Sequence, residues 1–247
     1  MCTVALLRRP GAAWPLILAA NRDERLDRAW LAPAGHWPDR PGVVGGLDRS
    51  AGGTWMALGP GGVVAAALNR PGSLGPAEGK ASRGLLPLEA AEASSAEAAV
   101  ARLAARDAGA WRPFNLVIAD AASAFFLRGL GHGRPEPVPL AEGLTMVTAH
   151  DPNDLDSPRI RRHLPRFRQA PVPDPDRGDW HAWEDLLADD GFGEAGIAEA
   201  LCVPRVRGFG TVCASLMALS PGARHWRFCP APPGRAPFHD LPLPAAG

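Results

Sequence analysis

A chain whose second residue is cysteine begins, once Met1 is removed, with a thiol and an α-amine on one residue. The small side chain of Cys2 permits that trimming. A thiol has a pKa near ~8.5 and an α-amine near ~7.7 to 8.0, so close to neutral pH the amine can take the thiol's proton. One residue then supplies both nucleophile and base. The nearest concentration of polar chemistry is Asn21-Arg22-Asp23-Glu24, at the end of the second apolar run.

Whether these groups meet depends on the elements that carry them. Thr3 to Leu7 is short and apolar, Gly11 breaks it, and Pro15 to Ala20 is a second run of strand length. Two such runs around a Gly-containing link predict a hairpin, which lays the far end of the second strand beside the start of the first. Cys2 and the cluster 21–24 become neighbours. Gly42 to Gly46 and Gly52-Gly53 are read as turns, followed by a second hairpin from Thr54 to Leu58 and Val63 to Leu68.

The period then changes. A helix is expected from about Ser82 to Ala93, with Pro87 tolerated only in or near its first turn. Ser94 with Glu97 gives a capping box for a second, continuing to about Ala108. Strand character returns at Phe114 to Ala119, Ala124 to Arg128 and Leu144 to Thr148. Ser157-Pro158 predicts the start of an arginine-rich helix, and Asp179 the cap of another in which Trp180, Trp183 and Leu187 share a face. Gly210 to Leu219 and His225 to Cys229 close the pattern as strands. Strands, helices and strands in blocks, without βαβ alternation, predict antiparallel sheets with helices packed outside, an α+β layering.

The chain of 247 residues, 46% hydrophobic, is long enough for one sizeable core, and one domain spanning 1–247 is expected, with a Pro-rich extended tail from about Pro230. With 26 basic and 26 acidic residues the formal charge is +0, so no global field draws the protein to nucleic acid or anionic lipid. No apolar run approaches the roughly 20 residues of a membrane helix and no signal-peptide pattern opens the chain, which makes a cytoplasmic protein the expectation. Cys2, Cys202, Cys213 and Cys229 are widely spaced with no CxxC, so no metal site is indicated. Cys213, in a strand-like run, is expected to be buried.

The opening Met1-Cys2-Thr3, Ala20 to Glu24, Gly53-Thr54-Trp55, Leu68-Asn69-Arg70, Ser82-Arg83-Gly84, Phe114-Asn115-Leu116 and Gly210-Thr211-Val212 occur in the order seen in the NRDE family, also named for transport and Golgi organisation protein 2. The chain resembles that family over most of its length. The resemblance implies an N-terminal nucleophile hydrolase fold, a four-layer αββα sandwich of two antiparallel sheets between helices. It also implies that Cys2 attacks a non-peptide amide, with Arg22 stabilising the thiolate, Asp23 holding the α-amine and Asn69 helping to bind the oxyanion. Elementary chemistry supports these roles. A guanidinium favours a thiolate, a carboxylate orients and raises an amine, and a positioned amide N–H is worth roughly 3 kcal/mol to an oxyanion.

Other residues are candidates for supporting or substrate-binding roles. Asn21 and Glu24 flank the pair. Trp55 is either a core aromatic or a ligand contact. Ser82 and Arg83 either face a cleft and bind a carboxylate or phosphate, or start a helix. Asn115, inside an apolar strand, needs partners and is expected to orient a site residue. Where relatives carry a Ser-Asn pair, this chain has Ala149-His150, so His150 would replace an oxyanion donor or else sit in a surface loop.

Two functions follow. The first is a cysteine amidohydrolase acting on a small amide or lactam through a thioester, needing no cofactor. The second is a carrier without catalysis for haem or an acyl-coenzyme A-like anion, with a cleft lined by tryptophans, of which the chain has 8, and rimmed by arginine. A small molecule is the partner in either case, and the oligomeric state is left open.

Overall fold

In chain order the strands are β1 (Thr3–Arg8), β2 (Leu16–Arg25), β3 (Trp30–Ala34), β4 (Val44–Asp48), β5 (Met56–Leu58), β6 (Val64–Asn69), β7 (Phe114–Ala119), β8 (Ala124–Gly129), β9 (Glu136–Pro139), β10 (Gly143–Val147), β11 (Phe209–Leu219), β12 (Arg224–Cys229) and β13 (His239–Asp240). The α-helices are α1 (Leu85–Ala91), α2 (Ala96–Ala104), α3 (Pro158–Gln169) and α4 (His181–Leu187). The structure is a computed structural model and describes residues 2–244. It is an α+β fold of two antiparallel sheets, and it divides into two compact units.

The first unit joins the N-terminal segment through Asp27 to Glu142–Leu219 and His225–Pro242. Its six-stranded sheet has the order β10-β1-β2-β11-β12-β13. β1 and β2 form the expected hairpin, in a register that sets Thr3 opposite Asn21. β2 is longer than its apolar run, however, and Asn21 to Glu24 lie inside the strand instead of after it. The long partner β11 explains this, because it pairs with β2 as far as Arg25 and buries Asn21, Arg22 and Asp23 in a ladder. α3 packs on β10 and α4 on β2. Phe167 meets Trp183 edge to face at 5.1 Å between those helices, which closes that side of the core.

α3 starts as its sequence predicts, with Ser157 Oγ accepting from Ile160 N and Pro158 in the first turn. The expected cap of α4 is not made. Trp180 occupies the cap position without a side-chain bond, and Asp179 turns to His181 instead. Part of the Pro-rich tail adds β13 to the sheet, pairing Phe228 with His239 and Arg227 with Asp240.

The second unit is Arg28–Ala141 with Ser220–Arg224 and, at the end of the described residues, Leu243 and Pro244. Its seven strands run in sequence order from β3 to β9. α1 and α2 cover β5 to β9, and Leu86, Ala90, Val100 and Leu103 meet Leu116, Ile118 and Leu127 in one buried cluster. The glycines at 45 and 46, read as a turn, belong to β4. Their missing side chains make room for neighbours, since a Cβ at Gly45 would sit 2.8 Å from Met56 O and one at Gly46 would fall within the Trp55 ring. α2 is capped by Ser95, whose Oγ accepts from Ala98 N, and not by Ser94. Ser82 Oγ accepts from Gly84 N just ahead of α1, which Gly84 precedes without a side-chain cap.

Candidate active site around Cys2

The β1–β2 hairpin decides where Cys2 goes. Its thiol donates to the backbone carbonyl of Asp23 at 3.6 Å. Burial pushes the Cys2 thiol up, and the negative charge of Asp23 pushes it the same way, while the N-terminal amine, the bond to the Asp23 backbone and, least, Arg22 pull it down. At neutral pH the resting thiol therefore keeps its proton, so attack needs a base close by.

The Asp23 side chain is fully enclosed. Thr211 Oγ1, from β11, donates to Asp23 Oδ1 at 2.6 Å, and Arg159 Nη1, from the first turn of α3, donates to Oδ2 at 2.9 Å. The same guanidinium nitrogen donates to Thr3 Oγ1 at 3.0 Å, and Thr211 Oγ1 accepts from Val203 N at 2.7 Å. Charge-assisted bonds of this kind are shorter and stronger than neutral ones. The Asp23 carboxylate thus ties β2 to β11 and α3, and Arg159 extends the link to Thr3 at the start of β1.

Asn21 and Asp23, two residues apart on a strand, point to the same face. Asn21 Nδ2 donates to Leu187 O at 2.9 Å and Leu201 O at 3.0 Å, so its amide ties the end of α4 to the segment ahead of β11. Arg22 and Glu24 share the opposite face, with Arg22 Nη2 3.6 Å from Glu24 Oε2. β11 sets Cys213 opposite Arg22, and the Cys213 thiol is fully buried and pushed far up by that burial. Cys213 is accordingly a core residue. Cys202 is likewise raised, to about 11, which leaves Cys2 as the half-buried thiol of the four.

His150 follows β10 in a turn, its Nδ1 3.3 Å from Asp154 Oδ2 and its backbone N–H directed to Thr148 Oγ1 at 3.4 Å. Asn69, Trp55, Ser82, Arg83 and Asn115 belong to the second unit. Asn69 ends β6 opposite Phe114. Asn115 Oδ1 accepts from Arg70 Nη1 at 2.6 Å, and Arg83 Nη1 donates to Ser73 O, Ser73 Oγ and Pro113 O at 2.7, 2.8 and 3.1 Å. These bonds pin the loop after β6. Trp55 lies on Gly46 and meets Trp30 edge to face at 5.8 Å.

The structure thus gathers Cys2, Asn21, Arg22, Asp23 and Glu24 around one strand end, and it adds Thr3, Arg159 and Thr211, which sequence reasoning did not assign. One signal was readable. Arg159 is a cation in the first turn after a well-defined cap, where the helix dipole disfavours it. Among the described residues no group of three or more His, Cys, Asp or Glu is placed to hold a metal ion, and no helix is long and apolar enough to cross a membrane.

The fold is similar to that of solved N-terminal nucleophile hydrolases. It matches an N-acylethanolamine-hydrolyzing acid amidase ortholog of Caenorhabditis elegans with a TM-score of 0.56 at 14% identity, over 98% of this chain and 100% of that one. It also matches two forms of the conjugated bile acid hydrolase of Clostridium perfringens, a cysteine-to-alanine mutant and an arginine-to-leucine variant. Each gives a TM-score of 0.52 at 13% identity, over 98% of this chain and 92% of the other. At such identities the likeness speaks for the fold alone. The Transport and Golgi organisation 2 family model matches residues 1–164, about two thirds of the chain, and the protein belongs to that family. A comparison with curated proteins gives no match.

Proposed function

We propose that the protein is an amidohydrolase in which Cys2, as the mature first residue, attacks a non-peptide C–N bond of a small amide or lactam. The observation that carries this reading is the Cys2 thiol hydrogen-bonded to the backbone of Asp23, whose buried carboxylate on β2 is held by Thr211 of β11 and Arg159 of α3. The names of the structural neighbours, an amidase and a hydrolase of conjugated bile acids, suggest the amide class.

In the proposed reaction the freed α-amine takes the thiol proton and the thiolate adds to the substrate carbonyl carbon. The tetrahedral intermediate collapses as its C–N bond breaks, and the departing nitrogen receives that proton. Water, deprotonated by the α-amine, then attacks the thioester and releases the acid and the thiol. Arg22 favours the thiolate, and Asp23 orients the amine. Asn69 is the oxyanion candidate that the family resemblance implies, and Asn69→Ala is then expected to lower kcat roughly 100-fold.

Intact-mass measurement with and without iodoacetamide, together with turnover of a panel of N-acyl amides by wild type and Cys2→Ala, tests the reading. Expected are loss of the Met1 mass, one rapidly alkylated cysteine and no turnover in Cys2→Ala. Active protein that retains Met1 would overturn it. A trimmed, alkylatable chain without amidase activity whose spectrum shifts on haem titration would favour the carrier reading instead.

A further inference from the structure

Arg159 breaks three local rules at once. It is a guanidinium with only 4% of its surface exposed, it is a cation in the first turn of a helix, and it reaches a carboxylate 136 residues earlier in the chain. Burying a charge is unfavourable unless it is paired and hydrogen-bonded, and the dipole at a helix start adds to that cost. Violations of local preference of this kind concentrate where a site must be held. Nearby, Arg161 satisfies the ordinary pattern, exposed and donating to Leu155 O.

The geometry of the bonds shows what the arrangement holds. Arg159 Nη1 joins Thr3 Oγ1, on the residue that follows Cys2, to Asp23 Oδ2, on the residue whose carbonyl receives the Cys2 thiol. Both attachments of Cys2, covalent through Thr3 and hydrogen-bonded through Asp23, are therefore anchored to one buried nitrogen. We propose that Arg159 is a positioning residue for Cys2: from α3 it locks Thr3 and Asp23 together, setting where the thiol sits and neutralising the Asp23 carboxylate. The proposal rests on the reading of Cys2 as nucleophile, but its primary readout does not need turnover.

Burial raises the Cys2 thiol most, and the charges around it act on top of that, Asp23 upward and the N-terminal amine and Arg22 downward. The Asp23 carboxylate disfavours the thiolate, and Arg159 is ion-paired to that carboxylate at 2.9 Å. Loss of the guanidinium removes the carboxylate's ion pair and leaves it only the Thr211 hydroxyl, so the thiolate should form only at higher pH.

The experiment is the pH dependence of Cys2 alkylation by iodoacetamide in the full-length protein, mapped by peptide mass, for wild type, Arg159→Met, Arg159→Lys and Arg161→Met. Arg159→Met should shift the alkylation midpoint upward by about one pH unit, a tenfold loss of thiolate at fixed pH. Arg159→Lys should recover at least half of the shift, and Arg161→Met should match wild type. A folded Arg159→Met with the wild-type midpoint would overturn the proposal, as would Lys and Met variants that behave alike. If Arg159→Met does not fold, Thr3→Val carries the test, since it removes one anchor with little change of shape. Slower alkylation supports the proposal and a wild-type profile refutes it. Absence of amidase turnover in the wild type would refute the proposed reaction while leaving these alkylation outcomes readable.

Discussion

The Cys2 thiol and the Arg22 guanidinium pose the central electrostatic question at the scale of single residues. Burial and Asp23 both raise the thiol, and the N-terminal amine, the bond to the Asp23 backbone and, least, Arg22 oppose them. Replacing Arg22 with methionine keeps the stem and removes the charge, so the thiol should move further up and its alkylation at pH 8 should slow by about three- to tenfold. An unchanged rate would show that Arg22 does not act on the thiol. Cys2, Asn21 and Asp23 were legible because a nucleophile at the chain start and a polar cluster one hairpin away are local features. Their partners were not. Arg159 and Thr211 lie 136 and 188 residues beyond Asp23, and nothing in their own neighbourhoods specifies that contact. Asn21 carries a related lesson: its polar side chain, read as site support, ties Leu187 O to Leu201 O.

Among the elements, the strands with clean apolar runs were readable, and those built around glycine or proline were not. β4 reads as a turn because Gly45 and Gly46 usually break structure, yet here they provide space for Met56 O and the Trp55 ring. β3 and β9 are sheet edges carrying Pro33, Pro137 and Pro139, residues that blunt an edge and hide it from a propensity reading. The same close approach makes Gly59 the most sensitive glycine in this layer, since a Cβ there would collide with the backbone carbonyl of Ala91 in α1. Gly59→Ala should destabilise the protein by about 3 kcal/mol, at the upper end for overpacking, because helix backbone cannot swing aside as a side chain can. Gly11→Ala is the contrast. That glycine has φ +84° and open space around it, so its cost is conformational only, about 1 kcal/mol. Urea midpoints that rank the two variants the other way would refute the packing argument. At α3 the cap is a separate lever: Ser157→Ala removes the acceptor for Ile160 N and should cost about 1 kcal/mol.

For the whole molecule the decisive property is how many protons the native state refuses. Net charge is zero, so pH enters through particular buried groups. His163, fully buried on α3, directs Nε2 to Glu199 O at 2.8 Å and Nδ1 to Arg166 Nη1 at 3.1 Å. Burial, with Arg166 and Arg162 nearby, lowers it to about 4, against the partial opposition of Asp189 and the Glu199 carbonyl. The unfolded chain takes up this proton near pH 6.5 and the native protein does not. The stability due to a neutral His163 is therefore fully present above 6.5 and is lost as pH falls toward 4, by at most ~3 kcal/mol. Asp189 and Glu199, both held below the usual carboxylate range, extend the loss at lower pH. His181 beside Asp179 acts in the opposite sense, but both are exposed and screened. On the alkaline side the thiols reverse the sign. Cys202 and Cys213 are raised above 9, so their contribution holds below pH 9 and disappears as pH rises further. Stability plotted against pH should thus be flat from about 7 to 8.5 and fall on both sides, with the acid limb beginning first. His163→Gln, which keeps a donor for the Glu199 carbonyl but does not titrate, should flatten the limb between 6.5 and 4. The test is a series of urea denaturations across that range. An acid limb of equal slope in the variant would show that the protein's acid sensitivity lies in its carboxylates and not in His163.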